Sequence, residues 1–272
     1  MRLPANPSGS LDPDEIPRRC EKAKAVLFYH WVGIPGDIDK VRGAAAQAGL
    51  RVVEDAGEAL GAEYGGLSIG AHGFDYSVFS FSPVRHITTG EGAAIAFRDR
   101  EQYELASLWR RYGIPAAEFR DDLGEIRTGC DIRIPGFHNF MSRLAGELGA
   151  LQMDCLRGIV GKHRENGRYF DRTLSAVPGI RTLTQSCKGV PSYWVYCFLC
   201  DRRDDLLKKL RGAGIYASKV HARNDLYSCF GAGRADLPGV SEFEAHELCI
   251  PCGWWVTAED REYIAETIGA GW

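Results

Sequence analysis

The sequence predicts an α/β fold, because a strand–helix–strand unit near the N-terminus is followed by further alternation of strands and helices. Ala25 to Tyr29 (AVLFY) is a short continuous apolar run, which is typical of a buried strand. From Asp37 to Ala48 apolar residues recur at helical spacing, and Gly49 stands where a helix-ending glycine belongs. Arg51 to Glu54 is the second strand, so we expect a right-handed crossover between two parallel strands.

The later segments extend this pattern and predict two domains. The predicted strands are Tyr76 to Phe81, Ala93 to Phe97, Tyr193 to Leu199 and Tyr216 to Val220, and the predicted helices are Arg100 to Tyr112, Ser142 to Met153, Leu156 to Leu174, Arg203 to Arg211 and Ala258 to Ile268. An irregular polar stretch covers residues 113–135. The long charged helix from Leu156 suits a connector, and the elements beyond it alternate in a separate block. We therefore predict a large domain over residues 1–155 and a smaller α+β domain over residues 156–272.

Composition excludes several classes of protein. The chain of 272 residues carries 33 basic and 36 acidic residues, a net charge of -3, so no basic excess points to a nucleic-acid partner. No apolar run reaches the roughly 20 residues that a membrane-spanning helix needs. The N-terminus lacks the apolar core of a signal peptide, so the expected location is the cytoplasm.

The nine cysteines predict reduced thiols, since their number is odd and they are scattered along a chain of this size. Two pairs, Cys197 with Cys200 and Cys249 with Cys252, have the spacing of zinc ligands. The first pair lies in a strand-like aromatic run and the second brackets Ile-Pro, without the glycine-rich turn of a zinc knuckle. Buried apolar thiols are therefore favoured over a zinc site, and we expect no metal.

Two neighbouring segments have the composition of a ligand-binding rim. The stretch from Phe79 to Gly92 (FSFSPVRHITTGEG) ends a strand at a serine and continues into hydroxyls, an arginine and glycines, as expected around an anion or cofactor. Asp55 directly follows the second strand, at the end where ligands bind in open α/β sheets. The alternative for Asp55 is the cap of a helix that starts near Ala56.

These segments together resemble a known family. VVEDAGEALGAEYGGLSIG (Val52 to Gly70), followed by FSFSPVRHITTGEG, resembles the DegT/DnrJ/EryC1/StrS nucleotide-sugar aminotransferases, and the resemblance runs from about Ser10 to the C-terminus. YWVY (Tyr193 to Tyr196) and VHARNDLY (Val220 to Tyr227) also resemble the family. The resemblance implies fold type I of the pyridoxal 5'-phosphate (PLP) enzymes, with part of a large domain built on a mainly parallel sheet, and a homodimer.

The resemblance also assigns expected roles to individual residues. Asp55 matches the carboxylate that pairs with the pyridinium nitrogen, which keeps the ring protonated as an electron sink. Glu58 matches a position near the cofactor ring where the family often has glutamine. Ser80 matches a hydroxyl that binds the cofactor phosphate. Three further positions match the end of the site that holds the sugar nucleotide: His221, Arg223 and Asn224.

Arg85 departs from the family pattern, because it occupies the position of the lysine that forms the covalent link to PLP. An amine can lose its proton and attack an aldehyde, whereas a guanidinium stays protonated. Some relatives, the sugar 3-dehydratases, carry histidine at the lysine position and bind PLP without a covalent bond; here His86 aligns one residue later and could act as a base if the backbone turned. The structural alternative for Arg85 is a clamp on the cofactor phosphate or on a carboxylate such as Glu58 or Glu91.

Two further departures concern other parts of the site. Family members begin with a segment that carries a Gly-Thr phosphate-binding helix N-terminus, and this sequence starts after that point, so we expect a weaker phosphate cradle. Residues 136–142 (GFHNFMS) differ from the family turn that reaches into the partner subunit's site, where His138 or Asn139 is expected to serve.

The sequence therefore predicts a PLP-dependent protein of the nucleotide-sugar aminotransferase family with a compromised covalent step. Its implied substrates are a keto sugar linked to a nucleotide, and glutamate as amino donor, with PLP bound non-covalently. One alternative is a non-catalytic partner or binding subunit of the same fold. Both the arginine at the lysine position and the expected weaker phosphate cradle favour it. The other is a PLP-dependent sugar dehydratase that uses His86.

Overall fold

The computed structural model of the chain describes residues 9–20, 22–183, 186–230 and 236–272. The strands are β1 (Ala25–Tyr29), β2 (Arg51–Asp55), β3 (Glu63–Tyr64), β4 (Leu67–Ser68), β5 (Tyr76–Ser80), β6 (Ala93–Phe97), β7 (Ile180–Thr182), β8 (Gly189–Val190), β9 (Tyr196–Cys200) and β10 (Glu247–Ile250). The helices are α1 (Ile16–Arg19), α2 (Ile38–Gln47), α3 (Arg100–Trp109), α4 (Arg143–Met153), α5 (Leu156–Leu174), α6 (Arg203–Gly212), α7 (Pro238–His246) and α8 (Ala258–Gly269).

The first sheet has the order β1-β2-β5-β6 and carries the predicted crossover. β1, β2 and β5 run parallel, and β6 pairs antiparallel with β5, so the mainly parallel sheet is confirmed. Helix α2 connects β1 to β2 and buries Ile38, Val41 and Ala45. It begins where the Asp37 carboxylate accepts a hydrogen bond from the backbone N–H of Lys40 at 3.1 Å. The carboxyl ends of three parallel strands therefore lie side by side at one edge.

The second sheet has the order β10-β9-β7 and is antiparallel throughout. Its core includes residues from α5, α6 and α8, among them Phe170, Leu206 and Ile264, packed with Phe198 of β9 and Leu248 of β10. Strands with helices in this block agree with the predicted α+β architecture. The exact domain boundary after residue 155 stays a prediction.

A third small sheet, β4-β3-β8, joins the segment after Asp55 to the segment before Tyr193. Cys197 and Cys249 face each other across β9 and β10, and both side chains are buried. All nine cysteines are free thiols. In the described ranges no three side chains of His, Cys, Asp or Glu are grouped so that they could hold a metal ion. Among the helices of these ranges, none has the length and apolar character to cross a membrane.

Several predicted elements differ from the structure because of local backbone geometry. The alternative helix near Ala56 is wrong: backbone bonds from Ala59 to Ala56 and from Ala62 to Ala59 form successive turns instead. Strand β9 starts three residues later than predicted, since Tyr193 has a positive φ of 48°. Helix α3 ends at Trp109 because Tyr112 takes a positive φ of 54° beyond it.

One predicted strand is absent, and seven of the helices and strands given above were not predicted: α1, β3, β4, β7, β8, β10 and α7. Residues 216–220 form no strand in the structure; only Ser218 makes an isolated bridge to Cys249. Strands β7 and β10 and helix α7 were missed, since the first two have only three and four residues and the third starts at a proline. Helix α7 and β10 matter for the site because they pack beside His221.

Candidate active site

The candidate site lies at the carboxyl ends of the parallel strands. Tyr29 at the end of β1 pairs with Asp55 at the end of β2, and Asp55 pairs in turn with Val78 of β5, two residues before Ser80. Ligands of open α/β sheets bind at this edge. The structure thus places Asp55 and Ser80 on neighbouring strands.

A glycine keeps the space between Asp55 and Ser80 clear. A Cβ atom on Gly57 would lie 3.0 Å from Asp55 Oδ1 and 3.5 Å from the Cβ atom of Ser80. The backbone N–H of Gly57 donates to Asp55 Oδ1 at 3.0 Å, which orients the carboxylate. The carboxylate and the hydroxyl therefore flank a gap that a larger residue would fill.

Glu58 is the centre of the site. Its side chain is 0% exposed, and its Oε1 atom accepts hydrogen bonds from Arg85 Nη1 and His221 Nε2, each at 2.9 Å. Oε2 accepts from the backbone N–H of Val32, also at 2.9 Å. Burial acts to raise the pKa of this carboxyl, but the hydrogen bonds from His221 and Tyr29 and the nearby positive charge of Arg85 outweigh it and lower the pKa. Glu58 is therefore an ionised buried carboxylate.

Arg85 is held in place on two sides. Its guanidinium carbon lies 4.4 Å from the ring centroid of Trp194, a cation–π contact, and its Nη1 atom pairs with Glu58. The Trp194 indole N–H donates to the carbonyl oxygen of Val84 at 2.5 Å. Of the two carboxylates considered for a clamp, the structure gives the contact to Glu58. The buried Arg85 Nε atom has no hydrogen-bond partner within the described residues.

His86 lies in a different environment from Arg85. It is buried, its Nε2 donates to the carbonyl oxygen of Ser192 at 3.1 Å, and its ring centroid lies 4.6 Å from that of His163. Burial, followed by the proximity of His163, lowers the pKa of His86 to about 3. His86 is therefore a neutral, packed side chain near neutral pH.

The three residues assigned to the sugar-nucleotide end have different surroundings. His221 joins Glu58, as described above. Arg223 is buried and binds the Asp225 carboxylate with two hydrogen bonds, Nε to Oδ1 at 2.8 Å and Nη2 to Oδ2 at 2.6 Å. Asn224 is exposed and starts a short 3-10 helix. A role of these residues toward a sugar nucleotide stays a prediction.

His138 and Asn139, expected to serve at the partner subunit's site, lie in an exposed segment. The His138 ring stacks on Tyr112, with centroids 5.4 Å apart and planes 24° from parallel. The backbone N–H of Asn139 donates to the carbonyl oxygen of Arg110 at 3.0 Å. Their role at a subunit interface stays a prediction.

Sequence reasoning missed Tyr29 and Trp194. Tyr29 ends the first predicted strand, and its hydroxyl lies 3.3 Å from His221 Nε2. A signal for Tyr29 was present, because the ends of adjacent parallel strands meet at the same sheet edge as Asp55. Trp194 carried a signal only as part of the YWVY segment, and its contact with Arg85 depends on tertiary packing.

The residues present fit PLP as a cofactor. Asp55 and Ser80 supply a carboxylate and a hydroxyl on either side of the gap that Gly57 leaves open. Glu58, three residues after Asp55, binds the guanidinium of Arg85, the residue that the resemblance matches to the family's lysine. Within the described part of the chain, no lysine contributes to the hydrogen bonds or ion pairs of these three side chains.

A cavity of about 120 Å³ lies behind His221. Trp31, Phe243 and Glu247 line it together with the His221 ring. Glu247 is 2% exposed, and burial raises the pKa of its carboxyl to about 7, although Lys219 and His221 act to lower it. In the described ranges its Oε2 atom has no hydrogen-bond partner.

Glu247→Gln is expected to stabilise the protein at about pH 8 but not at about pH 5. Because the pKa of the carboxyl is raised in the folded state, its contribution to stability is full below the ordinary value of 4.5 and is lost as the pH rises through 7. An amide does not ionise, so the variant should gain on the order of 3 kcal/mol at the higher pH. Urea unfolding at both pH values measures this, with Glu242→Gln on the exposed face of α7 as control. An equal effect of Glu247→Gln at both pH values would contradict the prediction.

The chain is similar to several known proteins. The model of the DegT/DnrJ/EryC1/StrS aminotransferase family matches residues 5–269. The erythromycin biosynthesis sensory transduction protein EryC1 of Saccharopolyspora erythraea is 26% identical over 280 residues, covering 99% of this chain and 72% of that protein. A UDP-4-amino-4,6-dideoxy-N-acetyl-beta-L-altrosamine transaminase of Campylobacter jejuni is 26% identical and covers 96% of this chain and 70% of its own length.

Solved structures share the same fold. The sugar aminotransferase CalS13 from Micromonospora echinospora superposes with a TM-score of 0.93 at 29% identity, over 99% of this chain and 74% of that one. AtS13 from Actinomadura melliaura gives a TM-score of 0.93 at 33% identity, over 100% of this chain and 74% of that one. These structures therefore share both sequence and architecture with nearly all of the chain.

Proposed function

Since the chain belongs to the DegT/DnrJ/EryC1/StrS aminotransferase family, we propose that it is a PLP-dependent nucleotide-sugar aminotransferase homologue that holds its cofactor without a covalent bond. The observation that carries this proposal is the ion pair of Arg85 with the buried Glu58. The resemblance matches Arg85 to the lysine of the family. A guanidinium at that position supplies no nucleophilic amine. Ordinary transamination is therefore impaired.

Named residues would hold the cofactor. The Asp55 carboxylate would pair with the pyridinium nitrogen, the Ser80 hydroxyl would bind the phosphate, and Glu58 would lie near the ring. PLP, when bound, supplies an acceptor for electrons from a carbon next to nitrogen. The proposed substrates are a keto sugar linked to a nucleotide, and glutamate, and the proposed assembly is a homodimer. The transaminase relatives support this substrate class.

A second candidate is a non-catalytic subunit that binds a partner chain or a sugar nucleotide. The same ion pair favours it, because the guanidinium of Arg85 and the carboxylate of Glu58 are bound to each other at 2.9 Å. A dehydratase that uses His86 gains no support, since that ring is packed against His163 and donates to a backbone carbonyl.

Titration with PLP is expected to show saturable binding without a covalent adduct. Borohydride should leave no cofactor attached to the wild-type protein, whereas Arg85→Lys should raise attachment from background to a stoichiometric level. The reason is that a desolvated lysine can lose its proton and attack the aldehyde. Absorbance spectra and intact-protein mass measure both outcomes.

Arg98→Lys is the matched control, because Arg98 pairs with Asp75 on the surface and its replacement should leave attachment at background. Borohydride-stable attachment to the wild-type protein would refute the proposed non-covalent site. Absence of any saturable binding would favour the non-catalytic subunit instead.

A further inference from the structure

A histidine with a buried carboxylate partner lies next to the guanidinium in the lysine position. His221 Nε2 and Arg85 Nη1 are each 2.9 Å from the same oxygen, Glu58 Oε1. The two nitrogens are therefore at most twice 2.9 Å, or 5.8 Å, apart. One carboxylate oxygen thus bridges His221 and Arg85, the residue that the resemblance matches to the family's lysine.

The ionised state of Glu58 fixes the tautomer of His221. An ionised carboxylate only accepts hydrogen bonds, so Nε2 of a neutral His221 carries the hydrogen and Nδ1 keeps its lone pair. Within the described part of the chain, Nδ1 makes no hydrogen bond, and the side chain is 39% exposed. His221 is therefore a partly exposed side chain whose Nδ1 keeps a free lone pair.

Aromatic side chains hold the ring in this orientation. The ring centroid of Trp31 lies 5.2 Å from that of His221 in an edge contact, and the ring of Trp194 lies 6.1 Å away, inclined by only 28°. Tyr29 adds a second edge contact at 6.1 Å. A ring that is packed on three sides and hydrogen-bonded at Nε2 presents Nδ1 in one direction.

We propose that His221 Nδ1 carries the proton that the lysine amine carries in other family members. This inference rests on the proposed function, because PLP, when bound, would accept the electron pair of the C–H bond that breaks at the α-carbon of glutamate. The proton of that bond forms an N–H bond at Nδ1, and the same N–H bond breaks when the proton returns to carbon. Glu58 is the positioning residue, since it orients the ring and stabilises the imidazolium charge.

The other candidates for this proton lack the required lone pair or basicity. Arg85 stays protonated and has no acceptor atom. His86 donates through Nε2 to the Ser192 carbonyl, and burial lowers its pKa to about 3, which makes it a weak base. His221 combines an accessible nitrogen with a carboxylate partner.

The first test needs no cofactor. Nuclear magnetic resonance of the ring nitrogens in the cofactor-free protein should show His221 with its hydrogen on Nε2. Glu58→Gln should abolish this uniform preference, because an amide both donates and accepts hydrogen bonds. A hydrogen on Nδ1 in the wild-type protein would overturn the inference.

The second test follows deuterium exchange at the α-carbon of glutamate in the PLP-loaded protein. His221→Gln should slow exchange by roughly 100-fold or more, as expected for loss of a general base, while the affinity for PLP is unchanged. Added imidazole should restore exchange to His221→Ala. His246→Gln, a replacement on α7 away from Glu58, is the control and should leave exchange unchanged.

The outcomes separate the two proposals. Normal exchange in His221→Gln, or no exchange in a wild-type protein that binds PLP, would overturn the role of His221 and leave the proposed cofactor site intact. Failure of the wild-type protein to bind PLP would overturn the proposed function, and the role of His221 with it.

Discussion

Replacing Glu58 by alanine is expected to lower the free energy of unfolding by roughly 3–5 kcal/mol, the range for removing one partner of a buried ion pair. The replacement removes the carboxylate that accepts hydrogen bonds from Arg85, from His221 and from the backbone N–H of Val32. The Arg85 side chain is only 17% exposed, so its charge is left without a partner in a poorly solvated place. Urea unfolding at neutral pH measures the loss.

A double-mutant cycle separates the ion pair from the other contacts of Glu58. Arg85→Met removes the charge that Glu58→Ala would leave unpaired, so the double variant should be more stable than the sum of the single effects predicts, by about 1 kcal/mol or more. Strict additivity would show that the pair contributes no coupling, and the account of Arg85 as an anion clamp would then fail.

Gly33→Ala is expected to be the most damaging glycine replacement near the site, with a loss of more than about 2 kcal/mol. Gly33 has a φ of 85°, and a Cβ atom there would lie 2.8 Å from the carbonyl oxygen of Glu58 and 3.0 Å from the backbone nitrogen of Trp194. These backbone atoms cannot move freely, since the Trp194 N–H donates to the carbonyl oxygen of Val32 at 2.9 Å. The variant should therefore also weaken PLP binding.

Gly43→Ala provides the matched control for this replacement. Gly43 lies in α2, and a Cβ atom there would meet no atom within 4 Å. Alanine should stabilise the helix by about 0.5–1 kcal/mol. Thermal and urea unfolding of both variants test the contrast, and a Gly33→Ala protein as stable as the wild type would contradict the close packing described around Glu58.

Local sequence signals were sufficient to predict the elements whose ends depend on nearby residues. The ends of β1 and α5 agree with the prediction, because an apolar run and a long amphipathic pattern define them. Helix α2 has the capping aspartate and terminal glycine that the sequence shows. Tyr193 and Tyr112 were mispredicted because their positive φ values depend on surrounding contacts, which periodicity does not encode.

The candidate site was predictable in part, because local patterns indicate some of its residues and tertiary contacts bring in the others. The positions of Asp55, Glu58 and Ser80 follow from strand ends and from the resemblance. The hydrogen bond between Glu58 and His221 joins residues 163 apart in sequence, so no local pattern could indicate it. The role of His221 toward a sugar nucleotide stays a prediction. In the structure its ring is hydrogen-bonded to the carboxylate that also binds Arg85.

Trp194 gives this arrangement an optical consequence. Its indole ring lies against the Arg85 guanidinium on one side and near the His221 ring, and its N–H is fixed to the carbonyl oxygen of Val84. Indole emission is sensitive to adjacent charge and to ring stacking. Any ligand that draws the guanidinium away from this tryptophan should therefore change the intrinsic tryptophan fluorescence. Ligand binding at the site could then be followed by tryptophan emission without an added dye.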